Sequence, residues 1–266
     1  MNFSFGIITS IASSSYLDLL ISSIIKQNIE EYEIIIIGNN NLDKEKYKNI
    51  SIIYLNFNEY IKTAWITKKK NMICEVAKYD NIVLMHDYII LEDGWYEGFK
   101  KYGNNFEFCV NQIKNIDGSR YRDYVFFIPE IEPLIGNEAL IPYHIEIQQP
   151  LIKLLYISGA FYIIKKETAL KNPLCENLVW GQGEDVVLSK ELTSKGINIK
   201  CNPYSSVRLL KHKDKLYFEN VMSDAKCKEL MSLSNTIIND YDRRQKNHLV
   251  HELKNMCEFH KKLFSE

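Results

Sequence analysis

Four consecutive isoleucines, Ile34–Ile37, lie between Glu33 and Gly38 and run directly into Asn39, Asn40 and Asn41. A short apolar run with no polar alternation predicts a strand covered on both faces, the kind found in a parallel sheet. The pattern recurs. Phe3-Ser4-Phe5-Gly6-Ile7-Ile8 runs into Thr9-Ser10, and Ile82-Val83-Leu84-Met85 runs into His86-Asp87. Ser51–Leu55 reads as a further strand. Between them, Tyr16, Leu17, Leu20, Ile21, Ile24 and Ile25 recur at helical spacing. Ala64–Lys78 is read as a second helix, with Ile66, Ile73 and Ala77 inward and Lys68-Lys69-Lys70 largely outward. The first ninety residues thus alternate strands and helices, which predicts a mostly parallel central sheet flanked by helices.

In open α/β sheets, ligands sit beyond the carboxyl ends of the strands. Thr9-Ser10, Asn39-Asn40 and His86-Asp87 would share that rim. Each also reads as an ordinary turn, since Asn, Asp and Ser favour turns.

From Trp95 the pattern is less regular. Trp95–Tyr102 reads as a short helix, Phe106–Gln112 and Val125–Ile128 as strands, and Pro129–Pro150 as a long loop with no clear period. Ser158–Ile164 is a good strand whose Gly159-Ala160 start leaves room for a ligand or another backbone. A helix is expected around Glu167–Leu170. Trp180-Gly181-Gln182-Gly183 then leads into Glu184-Asp185, which open a helix stopped by Gly196. Anionic side chains favour a helix N-terminus, so capping accounts for part of that pair. Ile197–Asn202 and Ser205–Leu210 read as two late strands, and residues 219–264 as a charged helical appendage that packs on the core or a partner.

Composition narrows the function. The 266 residues are 46% hydrophobic with a net charge of -1, so no global field draws in nucleic acid. No apolar run is long enough to span a bilayer, and six scattered cysteines without CxxC spacing fit a reducing compartment, which predicts a cytoplasmic protein. Phosphate-loop, dinucleotide-fingerprint, GxSxG and HExxH motifs are all missing from the sequence. What remains is His86-Asp87, Glu184-Asp185, His212, polar strand ends and a lysine cluster. Carboxylates with a histidine suit a divalent cation on a diphosphate, and a further carboxylate can take a proton from an attacking hydroxyl. That chemistry is group transfer from a nucleotide-activated donor.

The order of these elements resembles the GT-A glycosyltransferases of the family 2 type over residues 3–215. Asn71, Ala77 and His86 fall at the spacing of that family's Asn, Ala and first DxD position, and Trp180–Asp185 resembles its "ED" helix start. The resemblance implies a GT-A (Rossmann-like) domain over 1–215, with a nucleotide-binding half (1–95) and an acceptor-side half (96–215), then a helical extension over 216–266. It implies an inverting glycosyltransferase of surface polysaccharide synthesis (capsule or lipopolysaccharide), using a nucleotide-sugar donor and a saccharide or lipid-linked acceptor. Carried over, Thr9, Ser10 and Asn39 would line the base and ribose site. Asn71 would support it, and Lys69 would reach a phosphate. His86 and Asp87, with His212, would hold a Mn²⁺ or Mg²⁺ ion on the diphosphate. Asp185 would be the base and Glu184 would orient the acceptor.

The sequence departs from that pattern at Asn39 and Tyr88, where the family carries acids. Loss of a hard carboxylate weakens binding of such ions. A protein that binds nucleotide sugars without transferring them is therefore an alternative, as is membrane-surface or self-association through the C-terminal helices. A nucleotidyltransferase fits less well, because Ser10–Ser15 holds neither Gly nor Arg. Arg120 and Arg122 either grip an acidic acceptor or form structural ion pairs.

Overall fold

The computed structural model describes residues 1–10, 16–128, 137–211 and 221–246. The amino-terminal half runs β1 (Phe3–Ile8), α1 (Leu17–Ile25), β2 (Tyr32–Ile37), β3 (Ile52–Leu55), α2 (Ile66–Val76) and β4 (Asn81–His86). β2 and β4 flank β1 in parallel, with Ile8 level with both Ile37 and His86. Three strands therefore end side by side, and Thr9, Gly38 and Asp87 step off one rim together. The Thr9 amide donates to the Ile37 carbonyl (3.0 Å) and the Asp87 amide to the Ile8 carbonyl (3.2 Å).

The chain next forms β5 (Ile89–Leu91), α3 (Trp95–Tyr102), β6 (Phe108–Lys114), β7 (Tyr124–Ile128), β8 (Asn137–Leu140), β9 (Leu155–Ile157) and β10 (Phe161–Lys165). After these come α4 (Lys166–Lys171), α5 (Glu184–Ser194), β11 (Ile199–Leu209) and α6 (Asp224–Ser232). The large sheet has the order β3-β2-β1-β4-β10-β6-β11-β5, and β8-β7-β9 form a small second sheet. The order reverses beside β1, since β2 and β3 extend to one side and β4 lies on the other. The rim between β1 and β4 is thus a topological switch point, where open α/β sheets take their ligands.

The isoleucine run is explained by two faces that both need covering. Ile34 and Ile36 join Phe3, Phe5 and Ile7 under α1 and α3, while Ile35 and Ile37 join Ile73, Leu84 and Leu192 under α2 and α5. All four isoleucines are at most 1% exposed, and each fully buried side chain contributes roughly 1.5–3 kcal/mol by area.

Three expectations are corrected. The two late strands are one, β11, with a register shift between Asn202 and Ser206. Pro203 lacks an amide for the ladder, and the chain bulges there instead of breaking. Part of the stretch read as a loop over Pro129–Pro150 is β8, paired antiparallel with β7; residues 129–136 lie outside the described residues. Tyr143 in that stretch donates to Asp123 (2.6 Å). Finally, Lys69 and Lys70 point inward, being 3% and 0% exposed. Each finds a carboxylate there, Glu59 and Glu184 respectively.

The C-terminal helices pack on the core. Ser223 caps α6 by accepting from the Lys226 amide (3.2 Å). Cys227 and Leu230, with Ile237 and Ile238 from the helical stretch 234–246, join the same apolar cluster as α5.

Candidate active site

Two cavities open on the switch-point rim. The first, about 570 Å³, is lined by Thr9, Ser10, Asn39, Glu59, Lys69, His86, Asp87, Tyr88, Trp180 and Lys211 among others. The second, about 320 Å³, is lined by His86, Tyr88, Tyr121, Arg122, Gly159, Trp180, Glu184 and Asp185 among others. His86, Tyr88 and Trp180 belong to both, so one wall separates them. His86 and Asp87 are at the end of β4 for the reason the sequence suggested: an apolar strand ends where the sheet meets solvent. Tyr88 follows, with its ring 5.4 Å from that of His86, and burial pushes its phenol up.

The second cavity is built by the close approach of α5 to the start of β10. Gly183, in the left-handed region at φ 71°, turns the chain into α5, a conformation that glycine adopts without strain. Gly159 faces the helix start. A Cβ there would lie 2.5 Å from Glu184 Oε1 and 3.1 Å from the Asp185 Cβ. The space that the sequence reserved at Gly159 is thus filled by the two carboxylates, which are 7% and 5% exposed.

Their contacts go beyond capping. Asp185 Oδ2 accepts from the Gly159 amide and from Arg122 Nη2, both at 2.7 Å, while Oδ1 accepts from the Val186 amide (2.9 Å). A carboxylate has about four acceptor sites, so Oδ1 keeps one for a hydroxyl. Glu184 Oε1 accepts from Lys70 Nζ (3.3 Å), and Lys70 also donates to the Gly159 carbonyl (2.9 Å). Lys70 lies 5.2 Å from the Tyr162 ring centroid. Sequence reasoning missed this residue because it stood in a lysine triplet that looked like a solvated face.

Other predicted residues are placed as follows. Lys69 donates to Glu59 and to the Thr9 carbonyl (3.0 Å), at the edge of the first cavity. Asn71 lines neither cavity. Its amide donates to the Leu174 carbonyl (2.9 Å) and Glu176 (3.0 Å), and its carbonyl accepts from the Leu174 amide (2.9 Å). It therefore ties α2 to the segment leading to Trp180. Trp65 and Thr67 add to that tie by donating to the Glu176 and Leu178 carbonyls. Of the two arginines, Arg120 pairs with Asp123 (2.7 Å) over the Tyr143 ring, and Arg122 alone reaches the second cavity. His212 lies outside the described residues.

Among the described residues, no three His, Cys, Asp or Glu side chains converge as a metal site. Asp87 and His86 are the ligands at hand. One hard carboxylate fits an ion that keeps waters and takes its other ligands from a substrate diphosphate, and not an ion caged by protein alone.

No family model matches the chain, and no curated protein matches it. Solved structures do. The chain is similar to GalNAc-T7 with UDP, GalNAc and Mn²⁺ (TM-score 0.58, 14% identity, 80% of this chain and 44% of that one). It is also similar to S. aureus TarS 1-349 (0.52, 16%, 77% and 60%) and to the same protein in complex with UDP (0.53, 15%, 79% and 61%). The chain spans roughly half the length of these structures, 44% to 61%. Its curled central sheet and flanking helices are those of the GT-A glycosyltransferase fold.

Proposed function

We propose that this chain is a glycosyltransferase that moves a sugar from a nucleoside-diphosphate donor to a hydroxyl of a saccharide or lipid-linked acceptor. The carrying observation is the pair of cavities divided by His86, Tyr88 and Trp180, with a buried carboxylate in the second. A donor in the first cavity would place its base and ribose against Thr9, Ser10 and Asn39, and its diphosphate toward Asp87, His86 and Lys69. A divalent cation would be held at Asp87 with His86, where it would neutralise diphosphate charge.

The acceptor would occupy the second cavity. Asp185 Oδ1 takes the proton of the attacking hydroxyl as its oxygen bonds to the anomeric carbon, and the bond from that carbon to the diphosphate oxygen breaks. Glu184, held by Lys70, would orient the acceptor. One displacement from the face opposite the leaving group inverts the anomeric centre. The resemblance to family 2 enzymes supports a role in surface polysaccharide synthesis, of capsule or lipopolysaccharide type, on the cytoplasmic side. No helix among the described residues is long and apolar enough to cross a membrane.

Tyr88, where an acid would strengthen cation binding, favours a second reading: donor binding without transfer. A panel of nucleotide sugars assayed with saccharide and lipid-linked acceptors separates the two. Release of nucleoside diphosphate that depends on acceptor supports transfer, whereas donor binding by calorimetry without turnover on any acceptor supports the second reading.

A further inference from the structure

We infer that Lys211 is the cationic group that holds the donor's diphosphate, so that nucleotide binding persists when divalent cations are removed. The inference rests on the donor reading of the first cavity. A leaving diphosphate gains charge as its bond to the sugar breaks, and fixed positive groups aimed at that charge stabilise the transition state. Lysine side chains that line the cavity can supply such charge.

Two lysines line the first cavity, Lys69 and Lys211. Lys69 borders the same subsite with a carboxylate partner of its own. Its ammonium pairs with Glu59, donates to the Thr9 carbonyl and lies 5.0 Å from the Phe57 ring centroid, and its side chain is only 4% exposed.

Lys211 differs in its exposure and in its charge partners. It is half-buried, and among the described residues no carboxylate pairs with it. Its place is nevertheless fixed. The Leu210 amide donates to the Tyr88 carbonyl (2.8 Å), which joins the end of β11 to the rim. Its Nζ lies 5.0 Å from the Tyr88 ring centroid and 5.7 Å from that of Tyr16. Aromatic faces orient an ammonium without removing its charge. Tyr88 therefore does two things at the position where an acid would have bound an ion: it withholds a ligand and it steadies a lysine. A lysine ammonium is a compact point charge suited to phosphate.

Calorimetric titration with UDP and with uridine tests this, with GDP and guanosine as the second pair of probes. The wild-type chain, K211M and K211R are each titrated in EDTA and in Mn²⁺. In EDTA the wild type is expected to bind one nucleoside diphosphate at least tenfold tighter than its nucleoside. K211M should lose that advantage while nucleoside affinity and the thermal midpoint stay unchanged, and K211R should keep most of it. Unchanged diphosphate affinity in K211M, or loss of wild-type binding in EDTA with recovery in Mn²⁺, overturns the assignment and leaves the donor reading intact. Absence of binding by the wild type in either condition overturns both.

Discussion

Arg122 Nη2 lies 2.7 Å from Asp185 Oδ2, so a cation from the segment before β7 holds the carboxylate that opens α5. The guanidinium and the Gly159 amide both bind Oδ2, so in the proposed reaction Oδ1 is the oxygen that would meet the hydroxyl. Arg122 is then a positioning residue. Substituting Arg122→Gln should lower kcat by roughly 10–100-fold, the scale of a misplaced catalytic group, with donor affinity unchanged. Steady-state kinetics alongside calorimetry checks this. Arg122→Lys should recover little, since a lysine lacks the planar fork.

Lys70 is fully buried against Glu184 and the Gly159 carbonyl. Lys70→Met removes the cation and leaves a buried carboxylate unpaired. Breaking such a pair costs about 3–5 kcal/mol, read as a lower urea midpoint with an unchanged slope. The double variant Lys70→Met/Glu184→Gln should recover part of that loss, because no lone charge remains.

Glu92 sets an acid limit on the edge of the sheet. Burial pushes its carboxyl up, but hydrogen bonds from Lys114, Ser206 and Arg208 outweigh burial and hold it below its ordinary 4.5. These partners lie on β6 and β11, so Glu92 links the two strands to the end of β5. A carboxyl lowered on folding stabilises the native state above its unfolded value, and that stability is lost as pH falls through the lowered one. Urea midpoints of wild type and Glu92→Gln should therefore differ near neutrality and converge as pH falls below 4.5 and through the lowered value.

The parallel half of the fold was legible because its buried strands are short apolar runs, rich in β-branched residues, with polar ends, as at Ile34–Ile37 and Ile82–Met85. The rim followed from those strands, since their polar ends must fall together when the strands run in register. Of the antiparallel strands, β10 and β7 were legible as Ser158–Ile164 and Val125–Ile128, and the short ones were not. β5 has three residues, β8 sits among prolines, and β9 is three residues directly after a turn of 3-10 helix at Leu151–Leu154, so none shows a period. Trp180–Asp185 was readable as an unusual helix start. Its partners were not, because Arg122 lies 63 residues away and Lys70 114 residues away. Lys70 also illustrates a general failure of charge-run reading. A lysine triplet on a helix spans about 200° of its circumference, and two of its members, Lys69 and Lys70, face inward here.

The most direct measurement is the rate of sugar transfer by Asp185→Asn, with the donor and acceptor that the wild-type chain turns over. An asparagine keeps the shape and, with its one carbonyl oxygen at the Oδ2 position, the acceptor for the Gly159 amide, but its NH2 at the Oδ1 position takes no proton. The expected result is a loss of about 10²–10⁴-fold, the scale of a removed general base, with nucleotide affinity unchanged by calorimetry. Transfer by Asp185→Asn at the wild-type rate would contradict the account.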